Sequence, residues 1–255
     1  MAREAGRDRG PEGTVHDDLQ MEGGSLRAGS GRRWAWEWIK SITTGIGLFL
    51  LLRTFVLEAF RIPSGSMENT LLAGDYVLVN KAIYGPKLPF THWSLPGVAT
   101  PERGDIVVFE PPHDTGTSYV KRLVAVPGDT VEMQERELRV NGDPVPEPYA
   151  LRSNRHDEHP ASALWQCSYM PELNARHCDP SRDTWGPVVV PEDRYLVLGD
   201  NRDDSDDSRY WGFVPRTAIR GRPLVVYFSV DPESYDDESS WSDRVRWNRI
   251  GHALD

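Results

Sequence analysis

The sequence has almost no long apolar stretches, and this limits what it can place in a membrane. In 255 residues, the one extended uncharged apolar run is Ser41–Leu52, which Phe55–Leu57 prolongs. A spanning helix needs about 20 predominantly apolar residues. A multi-span membrane protein is therefore excluded, and a single helix within residues 34–58 is the membrane candidate.

The chain also lacks an excess of basic residues. It has 29 Lys and Arg against 39 Asp and Glu, which gives a net charge of -10. Charges of the two signs balance in residues 1–33 and again in 34–60, so the acidic excess lies in 61–255. Nucleic-acid-binding proteins neutralise phosphates with Lys and Arg. We therefore expect no nucleic acid as a partner.

Cysteine is scarce, with Cys167 and Cys178 as the only two in the chain. His156, His159 and His177 are near them in the sequence, so a zinc site is conceivable, but the spacing matches no common ligand pattern. If this segment lies outside the cytoplasmic membrane, a disulfide between Cys167 and Cys178 is the expected state.

The N-terminal region has two parts. Residues 1–33 are rich in Gly, Arg, Asp and Glu without apolar periodicity, which is typical of a disordered tail. Residues 34–58 form the candidate membrane anchor, and its three tryptophans at 34, 36 and 38 suit a membrane interface.

The charges flanking the apolar run indicate an orientation. Lys40 and Arg53 can extend towards opposite interfaces. Basic residues precede the span, which predicts a cytoplasmic N-terminus. The alternative is a cleaved signal peptide, but Leu57-Glu-Ala59 is a poor small-x-small cleavage site and favours a retained anchor.

After Phe60, short β-rich runs replace the helical pattern. Turn signals such as Pro127-Gly-Asp129 and Asn141-Gly-Asp143 separate them. The runs are Tyr76–Val79, Ile106–Phe109, Tyr119–Val126, Thr130–Met133, Glu137–Val140, Val188–Val190, Tyr195–Leu198 and Leu224–Phe228. We predict a mainly β barrel or sandwich. Residues 144–187 hold few strand runs and are interpreted as an insertion.

A Pro-Ser-Gly-Ser turn, 63–66, follows the apolar helix directly. A serine nucleophile needs a base, and Lys121 is the best candidate. Lysine accepts a proton near neutral pH only when it is desolvated. Tyr119, Leu123 and Ala125 share its face of the strand by the two-residue period and would supply apolar cover. From the residues alone, an ordinary turn and a solvated edge lysine are the alternatives.

An acidic segment spans Asp200–Arg209. Asp203, Ser205 and Asp207 have the alternating spacing of a calcium loop, but the glycine at position six and the glutamate at position twelve are absent. A solvated charge run is the other alternative, above all for Asp204 and Asp206.

Four stretches, in this order, resemble the bacterial type I signal peptidases, or leader peptidases. They are Ile62–Met67 with Thr70-Leu71, Arg103–Phe109, Tyr119–Arg122 through Pro127–Asp129, and Gly199–Pro215. The resemblance implies a signal-peptidase-type β catalytic domain formed by 59–143 and 188–255, with 144–187 as a small cap. It implies no metal and no organic cofactor.

The resemblance also implies roles for individual residues. Ser66 would be the nucleophile and Lys121 the general base, as in other Ser-Lys dyads. The Ser66 N–H and the Ser64 hydroxyl would bind the oxyanion, and Ser205 would hydrogen-bond Lys121. Asp207 and Arg209 would form a structural ion pair. The small substrate pockets would draw on Phe60, Ile62, Met67, Leu71, Val77, Val108, Tyr119 and Val120.

These features predict a single-pass serine endopeptidase of the bacterial cytoplasmic membrane, with its catalytic domain on the outer side. Its partners would be the signal peptides of secreted preproteins and the lipid bilayer. Two alternatives are a self-cleaving Ser-Lys regulator related to the SOS repressors, and a non-enzymatic membrane-anchored binding module. The first would need a DNA-binding helix-turn-helix, which residues 1–33 cannot form.

Overall fold

The computed structural model describes residues 29–88, 91, 93, 95–114, 116–153, 160–170, 181–232 and 240–254. Residues 1–28 of the predicted tail lie outside these ranges. The chain divides between Ile46 and Gly47 into two units, which are described separately.

One long helix, α1 (Gly29–Phe55), begins the described chain. The helix starts five residues before the predicted anchor. It contains Leu, Ala, Glu, Lys and Arg, which are good helix formers. Apolar side chains such as Ile42, Phe49 and Leu51 are exposed along it. Within the described ranges, no helix combines the length and apolar character that crossing a bilayer requires.

The rest of the described chain is built from twelve strands. They are β1 (Leu57–Arg61), β2 (Asp75–Asn80), β3 (Ile106–Phe109), β4 (Tyr119–Ala125), β5 (Thr130–Gln134), β6 (Glu137–Val140), β7 (Asp143–Pro144), β8 (Trp185–Val189), β9 (Arg194–Leu198), β10 (Val214–Pro215), β11 (Ile219–Ser229) and β12 (His252–Ala253). The predicted mainly β class is confirmed. Each predicted run coincides with a strand to within a few residues.

Eight strands form the main sheet, in the order β1-β2-β11-β3-β4-β9-β10, with β12 paired to β11. The long strand β11 joins two parts of this sheet. Its N-terminal residues pair with β3 and the following ones with β2, and the register shifts several times along it. Such irregularities bend a strand and increase its twist. The sheet therefore curls around its core instead of lying flat.

A second sheet has the order β7-β6-β5-β8. The hairpin of β5 and β6 begins at Thr130, inside the region predicted to belong to the main domain. Of the four strands, β7 and β8 include residues of the predicted insertion at 144–187. Val131, Met133 and Leu138 pack in one cluster with Leu196 and Leu198 of the main sheet. The small sheet therefore shares a core with the large one, because a hairpin alone buries too little apolar surface to be stable.

The segment predicted to be an insertion also contains a 3-10 helix at Pro160–Tyr169. The side chains of Trp165 and Gln166 each donate a hydrogen bond to the Arg209 carbonyl at 3.0 Å. Cys167 is disulfide-bonded. Cys178, the other cysteine of the sequence, and the three neighbouring histidines lie outside the described residues, so the pairing with Cys178 stays a prediction.

Candidate active site

Ser66 lies in the turn between β1 and β2. The Glu68 N–H donates to the Gly65 carbonyl at 2.9 Å and the Leu71 N–H to the Met67 carbonyl at 2.7 Å. Met67 and Leu71 are fully buried in a cluster with core residues of β2 and β3. Because these apolar side chains anchor the turn to the core, the hydroxyl of Ser66 is held at the wall of a cavity.

Lys121 lies in the middle of β4, opposite Val107 of β3. Its side chain is only 4% exposed, and its Nζ makes a 2.6 Å hydrogen bond with Ser66 Oγ. Among the described residues it forms no ion pair. Burial disfavours the charged amine and lowers the pKa of Lys121 to about 8, although Asp207 and Asp206 at longer range oppose this shift. A substantial neutral fraction near pH 8 is therefore available as a base.

The apolar cover of Lys121 differs in part from the expectation. The Tyr119 ring centroid is 5.5 Å from Nζ, and Tyr119 and Leu123 belong to one apolar cluster. Ala125 packs in a different cluster. The reason is a register shift between Leu123 and Ala125 where β4 pairs with β9, which breaks the two-residue alternation.

Two hydrogen-bond donors predicted to bind an oxyanion lie close to Ser66 Oγ. Ser64 Oγ is 3.4 Å from Ser66 Oγ, at the same side of the cavity. The backbone N–H of Ser66 donates to no group among the described residues. Both predicted oxyanion donors are therefore close to Ser66 Oγ, and the Ser64 hydroxyl donates to that oxygen. Their role at an oxyanion stays a prediction.

The cavity next to the dyad has a volume of about 530 Å³. Five of the eight predicted substrate residues line it: Phe60, Ile62, Met67, Tyr119 and Val120. The other three, Leu71, Val77 and Val108, do not line this cavity and are fully buried in the same core cluster as Ile62 and Met67, so their assignment to the substrate pockets stays a prediction. Their side chains fill the sheet interior and support the pocket wall without forming it.

The acidic segment divides into buried and exposed carboxylates. Asp207 accepts two hydrogen bonds at 2.8 Å from the Arg209 guanidinium and one from the Gly199 N–H at 3.0 Å. Burial alone would raise the pKa of Asp207, but Arg209 and these hydrogen bonds keep it below its usual value. The carboxylate also caps the short helix α2 (Ser208–Trp211). The predicted ion pair is thus present and fixes the loop.

The other carboxylate of the apparent calcium pattern is also paired. Asp203 accepts hydrogen bonds from Arg136 at 2.6 and 2.8 Å and from the Ser153 N–H at 2.7 Å. Within the described ranges, no group of three His, Cys, Asp or Glu is placed to hold a metal. Arginine side chains pair with both of these carboxylates.

Ser205 lines the same cavity as Ser66 and Lys121. The expected hydrogen bond between Ser205 and Lys121 is not formed, because the buried Ser205 Oγ has no partner among the described residues. The amine of Lys121 makes its hydrogen bond with Ser66 instead.

A second buried network lies behind the dyad, and the sequence did not reveal it. Arg122 donates to the two oxygens of Asp200 at 2.9 and 2.8 Å, and Thr70 Oγ1 donates to Asp200 at 2.5 Å. The Arg122 guanidinium also stacks on the Tyr149 ring at 3.9 Å. All three polar residues fall within the stretches that carry the resemblance, but nothing in the sequence shows that residues 78 positions apart pair.

Known proteins resemble the chain in the region that holds this site. The family model described as signal peptidase, peptidase S26, matches residues 35–228. A signal peptidase I from Pseudomonas aeruginosa is 38% identical over 76% of this chain and 72% of its own length. A signal peptidase I from Buchnera aphidicola subsp. Acyrthosiphon pisum is 31% identical over 84% and 81%, respectively.

A solved structure was also matched, a signal peptidase I from Enterococcus faecalis V583. It is 33% identical, covers 48% of this chain and 96% of its own, and gives a TM-score of 0.34. The family match spans well over half of the chain and includes Ser66, Lys121 and the acidic segment. The chain therefore belongs to the signal peptidase family, peptidase S26.

Proposed function

We propose that this protein is a membrane-anchored serine endopeptidase that removes N-terminal signal peptides from exported preproteins, with Ser66 as nucleophile and Lys121 as general base. One observation carries the assignment of the dyad: a buried lysine without an ion-pair partner among the described residues lies 2.6 Å from the hydroxyl of Ser66. The relatives named signal peptidase I support the substrate class.

In the first step, neutral Lys121 takes the proton from Ser66 as Oγ attacks the carbonyl carbon of the scissile bond. The carbonyl oxygen becomes an oxyanion, which the Ser66 N–H and the Ser64 hydroxyl stabilise. Collapse breaks the C–N bond, and protonated Lys121 donates its proton to the leaving amine. The signal peptide then remains attached to Ser66 as an ester, and water hydrolyses it.

The cavity supports a preference for small residues before the cleaved bond. Its apolar wall is built from Ile62 and Met67, which are buried and close-packed against the core. Such a wall yields little to a larger side chain. We expect cleavage after Ala-x-Ala, as the family's substrates have small residues at the first and third positions before the cut.

The anchor belongs to the proposal as well. Helix α1 includes the uncharged run Ser41–Leu52 and exposes its apolar side chains. Interfacial tryptophans and preceding basic residues favour one bilayer crossing with a cytoplasmic N-terminus. The catalytic domain would then lie on the outer side of the bacterial cytoplasmic membrane, where exported preproteins emerge.

The test is an incubation of the purified full-length protein, in detergent or reconstituted in vesicles, with a precursor that carries an Ala-x-Ala export signal. Cleavage by the wild type and none by Ser66→Ala supports the peptidase. A precursor with Phe or Leu before the cut should not be processed, and processing as fast as with Ala would contradict the pocket assignment. A precursor that stays intact with the wild type contradicts the function, and cleavage of the protein itself would indicate the self-cleaving regulator.

A further inference from the structure

The lining of the active-site cavity differs in character from one part to another. Phe60, Ile62 and Met67 belong to an apolar cluster and suit the small residues expected before the cut. Asp204 and Asp206 line the same cavity and are exposed, so this part of the wall is negatively charged. The proposed function gives the apolar part a role and leaves the acidic part without one.

The dyad indicates where the first residue of the mature protein lies. The Nζ of Lys121 is 2.6 Å from Ser66 Oγ. In the proposed mechanism this amine gives its proton to the leaving nitrogen, which must therefore come within hydrogen-bond reach of Nζ. That nitrogen belongs to the first residue after the cut. The groups of the cavity wall beside Lys121 are thus the ones that this residue meets.

Asp206 is held on the Lys121 side of the cavity. The Tyr119 ring centroid is 5.5 Å from Lys121 Nζ, and the His113 ring packs edge-on against Tyr119 at 5.9 Å. Nε2 of His113 lies 3.4 Å from the Asp206 carboxylate. Burial lowers the pKa of Lys121 and raises that of Tyr119, and the charge of Asp206 opposes the first shift and adds to the second. The Asp206 side chain is 53% exposed, so a bound precursor can approach it.

We propose that Asp206 is a specificity-determining residue for the mature side of the precursor, where its carboxylate disfavours an acidic first residue after the cut and favours a basic one. This rests on the proposed function. Like charges brought together at the edge of a partly desolvated cavity repel each other. Asp204 adds a second negative charge to the same lining. The selection therefore acts by repulsion of the wrong substrate as well as by attraction of the right one.

Three precursors that differ only in the first residue after the cut, which is Asp, Asn or Lys, test the proposal. Cleavage by the full-length protein in detergent is measured at low ionic strength, about 0.01 M, where screening is weak. For the wild type we expect kcat/KM to be at least about fivefold lower with Asp than with Asn, and about twofold higher with Lys. In Asp206→Asn the Asn-to-Asp ratio should fall below about twofold, whereas Asp206→Glu should keep most of it. Salt at about 1 M should reduce the wild-type ratio.

The ratio of two precursors isolates this effect from changes in the base. Asp206→Asn also alters the charge near Lys121, but a different base strength or a less stable fold changes cleavage of both precursors by the same factor. Asp114→Asn is the matched control. The charge of Asp114, like that of Asp206, adds to the effect of burial on the pKa of Tyr119, but Asp114 does not line the cavity. This variant should keep the wild-type ratio, and an Asn-to-Asp exchange far downstream in the precursor should have no effect.

The outcomes are distinct. A ratio that collapses in Asp206→Asn and persists in Asp114→Asn supports the proposal. A wild type that cleaves the three precursors equally well, or an Asp206→Asn variant that keeps the wild-type ratio, overturns it and leaves the proposed function intact. A wild type that cleaves none of the precursors overturns the proposed function, and this inference with it.

Discussion

Two adjacent residues of β4 bury cationic side chains on opposite faces of the strand, and their surroundings differ. Lys121 faces the cavity, where its one hydrogen-bond partner among the described residues is the neutral hydroxyl of Ser66. Arg122 faces the other way and is paired with the carboxylate of Asp200. Both are nearly inaccessible, at 4% and 6% exposure. The two side chains are thus equally buried, and they differ in that a carboxylate contacts Arg122 but not Lys121.

This difference separates the proposed base, Lys121, from a structural cation, Arg122. Without a contacting carboxylate, burial lowers the pKa of Lys121 to about 8. Guanidinium does not lose its proton in proteins, and a carboxylate on the other face neutralises it. One strand can therefore hold a reactive amine and a rigid ion pair side by side, because consecutive side chains point to opposite faces.

Removing the ability of Lys121 to deprotonate should have the largest effect. Lys121→Arg and Ser66→Ala should each lower kcat/KM by at least about 10³-fold, since nucleophile and base act as a unit. The double variant should be hardly worse than either single one. Precursor cleavage measures this. Substantial activity in Lys121→Arg would remove the lysine from its role as base.

On the opposite face, removing the carboxylate should affect stability. Asp200→Asn leaves Arg122 charged and buried without its partner, and the free energy of unfolding should fall by about 3–5 kcal/mol. Urea denaturation measures it. The control is Glu137→Gln, which removes a solvent-accessible ion pair between Glu137 and Arg139 at 3.1 Å. Here we expect the free energy of unfolding to fall by less than about 1 kcal/mol. Equal losses would mean that the burial of the Arg122 pair has no consequence.

The pH dependence should sharpen the contrast. The folded protein binds the Lys121 proton more weakly than the unfolded chain does, so between about pH 8 and the ordinary lysine pKa the unfolded chain holds more protons. Stability due to this group therefore rises with pH across that interval, by up to about 3 kcal/mol. This contribution is lost as the pH falls across the same interval and is nearly gone at about pH 8. Lys121→Met should remove the rise, and a wild-type kcat/KM profile should climb with a midpoint near pH 8. A rise that persists in Lys121→Met must come from another group.

The smallest change in activity is expected for Asp206. This residue is exposed at the cavity, and its negative charge raises the pKa of Lys121. Asp206→Asn should therefore move the rising limb of the kcat/KM profile to lower pH, and high salt should reduce the shift by screening. The control is Glu137→Gln, which should leave the limb unchanged. A shift to higher pH would mean that the side chain acts through contacts such as its 3.4 Å approach to His113.

The sequence predicted the strands because their alternation of apolar residues is local. It also predicted that Ser66 and Lys121 lie together, because both belong to recognisable stretches. It could not show that Leu71, Val77 and Val108 pack in the core away from the cavity, because a motif shows which residues are near a site but not which way they face. Pairs such as Arg122 with Asp200 depend on contacts between distant parts of the chain. Local patterns do not contain that information.

The strand order of the main sheet has a consequence for biosynthesis. β2 and β3 follow each other in the chain, yet β11 lies between them in the sheet. During translation the N-terminal strands emerge first and cannot close this sheet until residue 229 has been made. The turn that bears Ser66 adjoins β2, and Lys121 lies on β4, which pairs with β3. The two members of the proposed dyad are thus held together only after β11 has been synthesised, so a nascent chain that ends before residue 219 lacks the strand that joins β2 to β3.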